Sequence, residues 1–174
     1  IIGSTLAVRR VNFAEATESG TELVVQQDWV DGLQSVAGAV FPLAALGAQV
    51  VEEHLAGSAF ITSDSRTDAR FDPLLAQTYD AVGARAFVSV PLVRSARLVA
   101  VLSVQDTAPR NWHEAEISLL VEIAERTWPI LERARSEEQL VESEALLAAY
   151  LENAPTAMYL KDAAGRYLRL NEEM

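Results

Sequence analysis

The segment Ala86–Gln105, AFVSVPLVRSARLVAVLSVQ, constrains the fold more than any other stretch of the chain. It holds two apolar, β-branched runs, Phe87–Val93 and Leu98–Val104, on either side of Arg94-Ser95-Ala96-Arg97. Two such runs around a short polar break predict an antiparallel hairpin within a central sheet. Side chains alternate along a strand, so Leu98, Ala100, Leu102 and Val104 should share one face, and Val99, Val101 and Ser103 the other. Polar positions are few, so both faces need covering, with helices on at least one side. Pro91 cannot donate to a ladder and marks an edge position or a bulge.

Upstream, Leu6–Glu15 and Glu22–Trp29 read as two more extended runs joined by Ala16–Gly20, a second hairpin. Val30–Ala39 is loop-like. A helix is expected around Gly47–Leu55, with Gly57 as its C-terminal cap, followed by a short strand at Ser58–Thr62. After the polar loop Ser63–Arg70, Asp72 has the chemistry of an N-cap, with Pro73 at the first position of a helix running to about Val82.

From His113 to about Tyr150 almost every residue favours helix, and Ile117, Leu120, Val121, Ala124, Leu131, Ala134, Val141, Ala145 and Ala148 recur at spacings of three and four. Such a helix is roughly 55 Å long, more than a domain of this size needs to cover its own sheet. The half beyond Arg133 must therefore pack on something else or stay bare, and its sparse apolar positions suit a two-stranded coiled coil in a homodimer. Pro129 removes a backbone hydrogen bond and predicts a kink near Glu125–Pro129, which makes it a candidate signalling hinge. Residues 151–170 then read as strand, turn, strand.

Composition narrows the function classes. The net charge of −11 disfavours nucleic acid and anionic membrane surfaces as partners. No apolar run approaches the roughly 18–20 residues that span a bilayer, and Ile1-Ile2-Gly3-Ser4 lacks a basic leader, so a cytoplasmic location is expected. Cysteine is absent, which removes disulfides, thiolate metal sites and cysteine nucleophiles. The familiar nucleotide-binding and hydrolase signatures do not occur either. His54 and His113 are the only histidines. His54 adjoins Glu52-Glu53, but neighbouring helix positions do not share a face, so an ordinary surface role is expected and no metal site. His113 beside Trp112 reads as a helix start. Within the acid–base loop, Arg66 and Arg70 could clamp an anionic ligand. Pairing with the neighbouring Asp64, Asp68 and Asp72 is the favoured alternative.

The run Ser89-Val90-Pro91-Leu92-Val93, then Leu98–Val104, Pro109-Arg110-Asn111-Trp112, Glu114, Glu116, Leu119-Leu120 and Ile123-Ala124 resembles the second half of a GAF domain, a small sensory module of bacterial signalling proteins. The resemblance spans about Thr5 to Arg135. It implies an α/β (α+β) fold with a central antiparallel sheet flanked by helices and a long C-terminal signalling helix. The glycines common in the family's hairpin are here Ala96 and Ala100, so a tight glycine turn is not expected. In the family a ligand lies between the sheet and the elements over it, which points to Phe60, Phe87, Ser89 and Ser103 as pocket walls, with plain core as the commoner alternative. Covalent bilin attachment requires a cysteine and is excluded on that ground, the Asn-Lys and Asp-Glu pairs of cyclic-nucleotide GAF domains are missing, and haem would rest on His54 alone. The cofactor, if any, is left unknown, with no metal expected.

The segment ENAPTAMYLKDAAGRYLRLNEEM resembles the opening of a PAS domain, another sensory module. The chain starts on a strand, without the helix that usually precedes a GAF sheet, so both ends point to a piece of a longer protein. These resemblances imply three parts: residues 1–112 as the GAF sheet and its covering helices, 113–150 as a linker helix, and 151–174 as a PAS fragment. They imply a parent sensor histidine kinase of a two-component system, with no catalysis in this piece. The expected role is a sensor that binds a small molecule and signals through a dimeric helix; the alternative is a ligand-free dimerisation and spacer module.

Overall fold

The computed structural model describes residues 2–156 and 158–170. These fall into two units, Ile1–Trp128 and Pro129–Met174. In the first, the hairpin read from the sequence is present as β5 (Ala86–Arg94) and β6 (Arg97–Asp106). The strands pair antiparallel from Ala86↔Asp106 to Arg94↔Arg97. Only Ser95 and Ala96 join them, at φ 50° and 59°. Two successive left-handed residues are what a two-residue turn needs to match the twist of its strands. The turn is therefore tight although it contains no glycine, which the missing glycines had argued against.

Register explains a second difference. Leu92 pairs with Ala100 and Val93 with Leu98, leaving Val99 as an extra residue in β6. A bulge of this kind reverses the alternation beyond it. Ala100, Leu102 and Val104 share one core cluster as expected, but Leu98 crosses to the opposite face and packs with Val101 and Ala14. Pro91 fits both roles predicted for it. The edge strand β4 (Phe60–Thr62) pairs only with Phe87–Ser89, so β5 has no outer neighbour at Pro91, and the bulge follows directly.

The complete sheet has six strands in the order β3-β2-β1-β6-β5-β4, with β1 (Arg10–Ala16), β2 (Glu22–Val30) and β3 (Val40–Pro42) completing it. Where the extended run was expected to begin at Leu6, a short helix α1 (Ile2–Leu6) stands instead, burying Leu6 against the sheet before Ala7 turns the chain at φ 50°.

Helices cover both faces. On one lie α1 and α4 (Glu114–Glu152), the latter contributing Leu120, Ala124 and Trp128 to the core formed by Val88, Val90, Leu92, Leu102 and Val104. On the other lie α2 (Ala48–Leu55), the single-turn Leu43–Leu46 helix before it, and α3 (Pro73–Ala81). Asp72 caps α3 by accepting from the Leu75 amide at 2.8 Å, as its position before Pro73 predicts. Glu116 reaches back to the His113 amide at 2.8 Å and fixes the start of α4. No helix among the described residues is long and apolar enough to cross a membrane.

In the second unit α4 continues without a break through Pro129. Several of its apolar side chains are largely exposed, among them Ile130, Leu140, Val141, Leu146 and Leu147. Then come β7 (Tyr159–Lys161) and β8 (Tyr167–Leu170), paired antiparallel. Their turn is organised by Asp162, whose carboxylate accepts from the amides of Ala164 and Arg166 at 2.9 Å each. The strand–turn–strand reading holds, although Ala157, expected to open the first strand, and Asn171, expected after the second, lie outside the described residues.

Holding Ala96 left-handed costs a side chain about 1 kcal/mol that glycine avoids. Ala96→Gly is expected to raise stability by about 0.5 kcal/mol, after the added flexibility of the unfolded chain is subtracted. Urea unfolding measures this, and a loss of stability on substitution contradicts the turn geometry.

Candidate functional site

Between the sheet and the α2–α3 layer lies a cavity of about 130 Å³. Its floor is the sheet face that carries Asn12, Ala14, Val25, Ser89, Val101 and Ser103. Its roof is made by Leu46, by Val50 and His54 of α2, and by Tyr79 of α3. Phe87 and Tyr79 form an aromatic wall, their rings stacked on each other at 4.9 Å and 5° from parallel. The Tyr79 hydroxyl donates to the Leu46 carbonyl at 2.9 Å, and burial pushes the phenol up from its ordinary value.

His54 corrects the expectation of a surface role. It is 2% exposed, and its Nε2 lies 2.7 Å from Ser89 Oγ. Its Nδ1 is buried with no hydrogen-bond partner. Burial lowers the imidazole pKa to about 4, so the ring is neutral near pH 7. The signal for this placement was present in the chain: His54 follows Val50 by four residues, and a helix aligns such positions on one face. Attention to the adjacent Glu52-Glu53 concealed it.

Arg10 is the second buried polar side chain of the cavity that the sequence did not reveal. It is 2% exposed, at the start of β1. Nη1 donates to the Val82 carbonyl and to Gln105 Oε1 (2.8 Å), and Nη2 to the Gln34 carbonyl at 2.9 Å. Asp28, held by Ser35 Oγ at 2.6 Å and the Val36 amide at 2.7 Å, places a carboxylate oxygen 3.9 Å from Arg10 Nε. That Nε makes no hydrogen bond. Burial pulls the guanidinium below its ordinary value, and Asp28 opposes the shift. Both His54 and Arg10 line the cavity, and each has a buried polar atom unsatisfied. Such atoms are costly unless something binds them.

Of the residues singled out in the sequence, Phe87, Ser89 and Ser103 line this cavity. Phe60 does not. It is fully buried behind the wall, stacked on Phe87 at 5.7 Å with Phe71 edge-on at 5.8 Å. The two arginines point elsewhere. Arg66 pairs with Asp80 at 2.6 Å on the surface. Arg70 is gripped by Asp68, with Nη2 to Oδ2 at 2.6 Å, and its guanidinium carbon sits 4.0 Å over the Phe60 ring. Hydrogen bonds from Arg70 pull the Asp68 carboxyl down to about 2. Pro129 belongs to the second unit. No three His, Asp or Glu side chains gather into a metal-binding group among the described residues.

The family model for the GAF domain matches residues 1–129. The chain belongs to the GAF domain family. Solved GAF structures share its fold. The blue-light absorbing form of the PixJ GAF domain from Thermosynechococcus elongatus superposes with a TM-score of 0.65 at 23% identity, over 82% of this chain and 84% of that one. A phycocyanobilin-bound GAF domain from a cyanobacterial phytochrome gives 0.67 at 17% identity, over 78% and 81%. A biliverdin-bound domain in its far-red absorbing dark state gives 0.63 at 16% identity, over 77% and 85%. A comparison with curated proteins gives no match. The neighbours correct the cofactor reading drawn from the sequence: relatives of this GAF fold hold bilin chromophores. Absence of cysteine speaks to how a group is tethered, and it does not remove a cofactor from what the fold receives.

Burial of His54 has a pH consequence. Unfolded histidine takes up a proton near pH 6.5, whereas the folded site refuses it until about pH 4. Stability should therefore fall as pH drops from about 6.5 to about 4 and lose nothing further through this group below that. In urea unfolding across this window, His54→Gln is expected to lose about 1–3 kcal/mol less than the unaltered chain. Parallel pH profiles for the two chains contradict this account.

Proposed function

We propose that this GAF domain is the sensory part of a bacterial signal-transduction protein, binding a small organic molecule in the cavity between the sheet and α2–α3. The observation that carries this reading is the cavity itself, two of whose lining residues, Arg10 and His54, each hold a buried polar atom without a hydrogen-bond partner. A spacer module needs no such space, and a filled core would have favoured it. The sheet is one layer thick, and β6 touches both compartments: Val101 and Ser103 line the cavity, while Leu102 and Val104 pack in the cluster with Leu120 and Ala124 of α4. A ligand that favours one packing of β6 thereby biases α4, a population shift of the ordinary kind.

The finer reading follows the sequence. Residues 1–112 form the sensing part, 113–150 a signalling helix and 151–174 the opening of a PAS domain, within a cytoplasmic sensor histidine kinase of a two-component system. The kinase itself lies outside this chain, and no catalysis is assigned to it. Beyond Pro129, Leu140 and Leu147, and likewise Val141 and Ala148, stand seven residues apart, and all but the half-buried Ala148 are exposed in one chain, which supports a parallel coiled coil with a second copy. Pro129 is the proposed pivot.

Native mass spectrometry and visible absorbance of the purified chain test the sensor reading. A non-polypeptide mass bound to the protein is expected. A bare mass together with a cavity filled by neighbouring side chains in a crystal structure returns the protein to the spacer class. Sedimentation should give twice the chain mass, and Leu140→Asp with Leu147→Asp should give monomer; a monomer at the outset removes the coiled coil. Pro129→Ala is expected to alter the parent's output, and an unchanged helix geometry and output remove the pivot.

A further inference from the structure

The lining of the cavity restricts its ligand by size, charge and hydrogen-bonding sense. Its volume, about 130 Å³, is close to that of an engineered cavity of about 150 Å³ that takes up benzene. One wall is aromatic, the stacked pair Tyr79 and Phe87, against which a further ring packs edge-on or offset. Most of the remaining lining is aliphatic. In a chain of net charge −11, the cavity is lined by no Asp, Glu or Lys, and Arg10 is the one charged residue among those that line it. A cationic ligand would find no counter-charge there, and burying it unpaired is costly. Arg10 Nε–H can only donate, so it calls for an acceptor atom on the ligand. His54 Nδ1 takes either role, according to which tautomer its contact with Ser89 selects.

We infer that the cavity takes a single-ring aromatic compound carrying one oxygen substituent, a hydroxyl or a carboxyl, with the ring beside the Tyr79–Phe87 pair and the oxygen toward Arg10 or His54. This rests on the sensor reading above and gives it a chemical class. A hydroxyl can accept from Arg10 Nε or hydrogen-bond to His54 Nδ1 in either tautomer; a carboxylate accepts only, and has the charge of Arg10 nearby. An amine in the same place repels the guanidinium and leaves Nε unsatisfied.

The test uses the full chain with phenol, benzoate and benzylamine as probes, read by thermal shift and by NMR of the histidine side chains. Phenol or benzoate is expected to raise the melting temperature saturably and to move the His54 imidazole resonances while leaving those of the exposed His113 in place. Benzylamine should do neither. His54→Leu is expected to weaken the binding of phenol about tenfold, the loss that accompanies one hydrogen bond. Because the NMR readout is made on the unaltered protein, the result stands even if a variant fails to fold. Benzylamine binding as well as phenol, or probe binding that leaves His54 unmoved, overturns the assignment. If no probe binds but a larger molecule accompanies the purified protein, the ligand class is wrong and the sensor reading stands. If no probe binds, no mass is carried and ordered water alone satisfies Arg10 and His54, both fall.

Discussion

Every part of this domain depends on β6 being covered on both sides. A strand that reads Leu-Val-Ala-Val-Leu-Ser-Val has no face to offer water, and burying a side chain of this size contributes about 1.5–3 kcal/mol. Covering one face requires α4, and covering the other requires α2 and α3. The two coverings differ in quality. The α4 side is closed by aliphatic side chains and Trp128 against Val88, Leu92 and Val104. The α2–α3 side is built around a space and places an arginine and a histidine beside it. A helical layer resting on a sheet through aromatic rings and short loops does not need to collapse fully, because Tyr79, Phe71, Phe60 and Phe87 hold it away as a connected stack.

Burial of Arg10 and Asp28 together fits the same picture. Both side chains are 3% exposed, and a buried pair of this kind is weak evidence for stability, since desolvation offsets most of its attraction. What Arg10 contributes instead is connection. Its guanidinium joins β1 to the Val82 carbonyl after α3, to the Gln34 carbonyl in the loop after β2, and to Gln105 of β6. Segments far apart in sequence thus meet at one end of the cavity on a single rigid fork. The one nitrogen without a hydrogen bond, Nε, is the one nearest Asp28, 3.9 Å from its carboxylate oxygen.

Local chemistry was legible in the chain, and long-range chemistry was not. The β5–β6 hairpin, the Asp72 cap before Pro73, the extent of α4 and the turn at Asp162 all follow from patterns within a few residues. Leu98 was assigned to the wrong face because a bulge depends on how the opposite strand pairs, which no single strand announces. Ser95 and Ala96 form a tight turn because the strands on either side demand it, overriding the preference for glycine. Among the proposed pocket walls, Phe87, Ser89 and Ser103 line the cavity because strand alternation and the family resemblance together define that face. Arg10, beside Arg9 in the first extended run, carries no local mark of burial, and only the closure of the sheet encloses it. His54 lay between these cases, visible through its spacing from Val50 and masked by the acidic pair beside it.

The edge strands have a consequence for how the protein behaves in a crowded solution. β3 and β4 are three residues each, half the length of an ordinary strand. A long bare edge is a template on which another chain can extend the sheet, and short edges blunt that tendency. Here each end of the order is a three-residue strand, and the longer neighbours run past it, β2 beyond Val24 and β5 beyond Ser89. On the β5 side that uncovered run contains Pro91, which has no N–H to donate, so the edge is interrupted where it is bare.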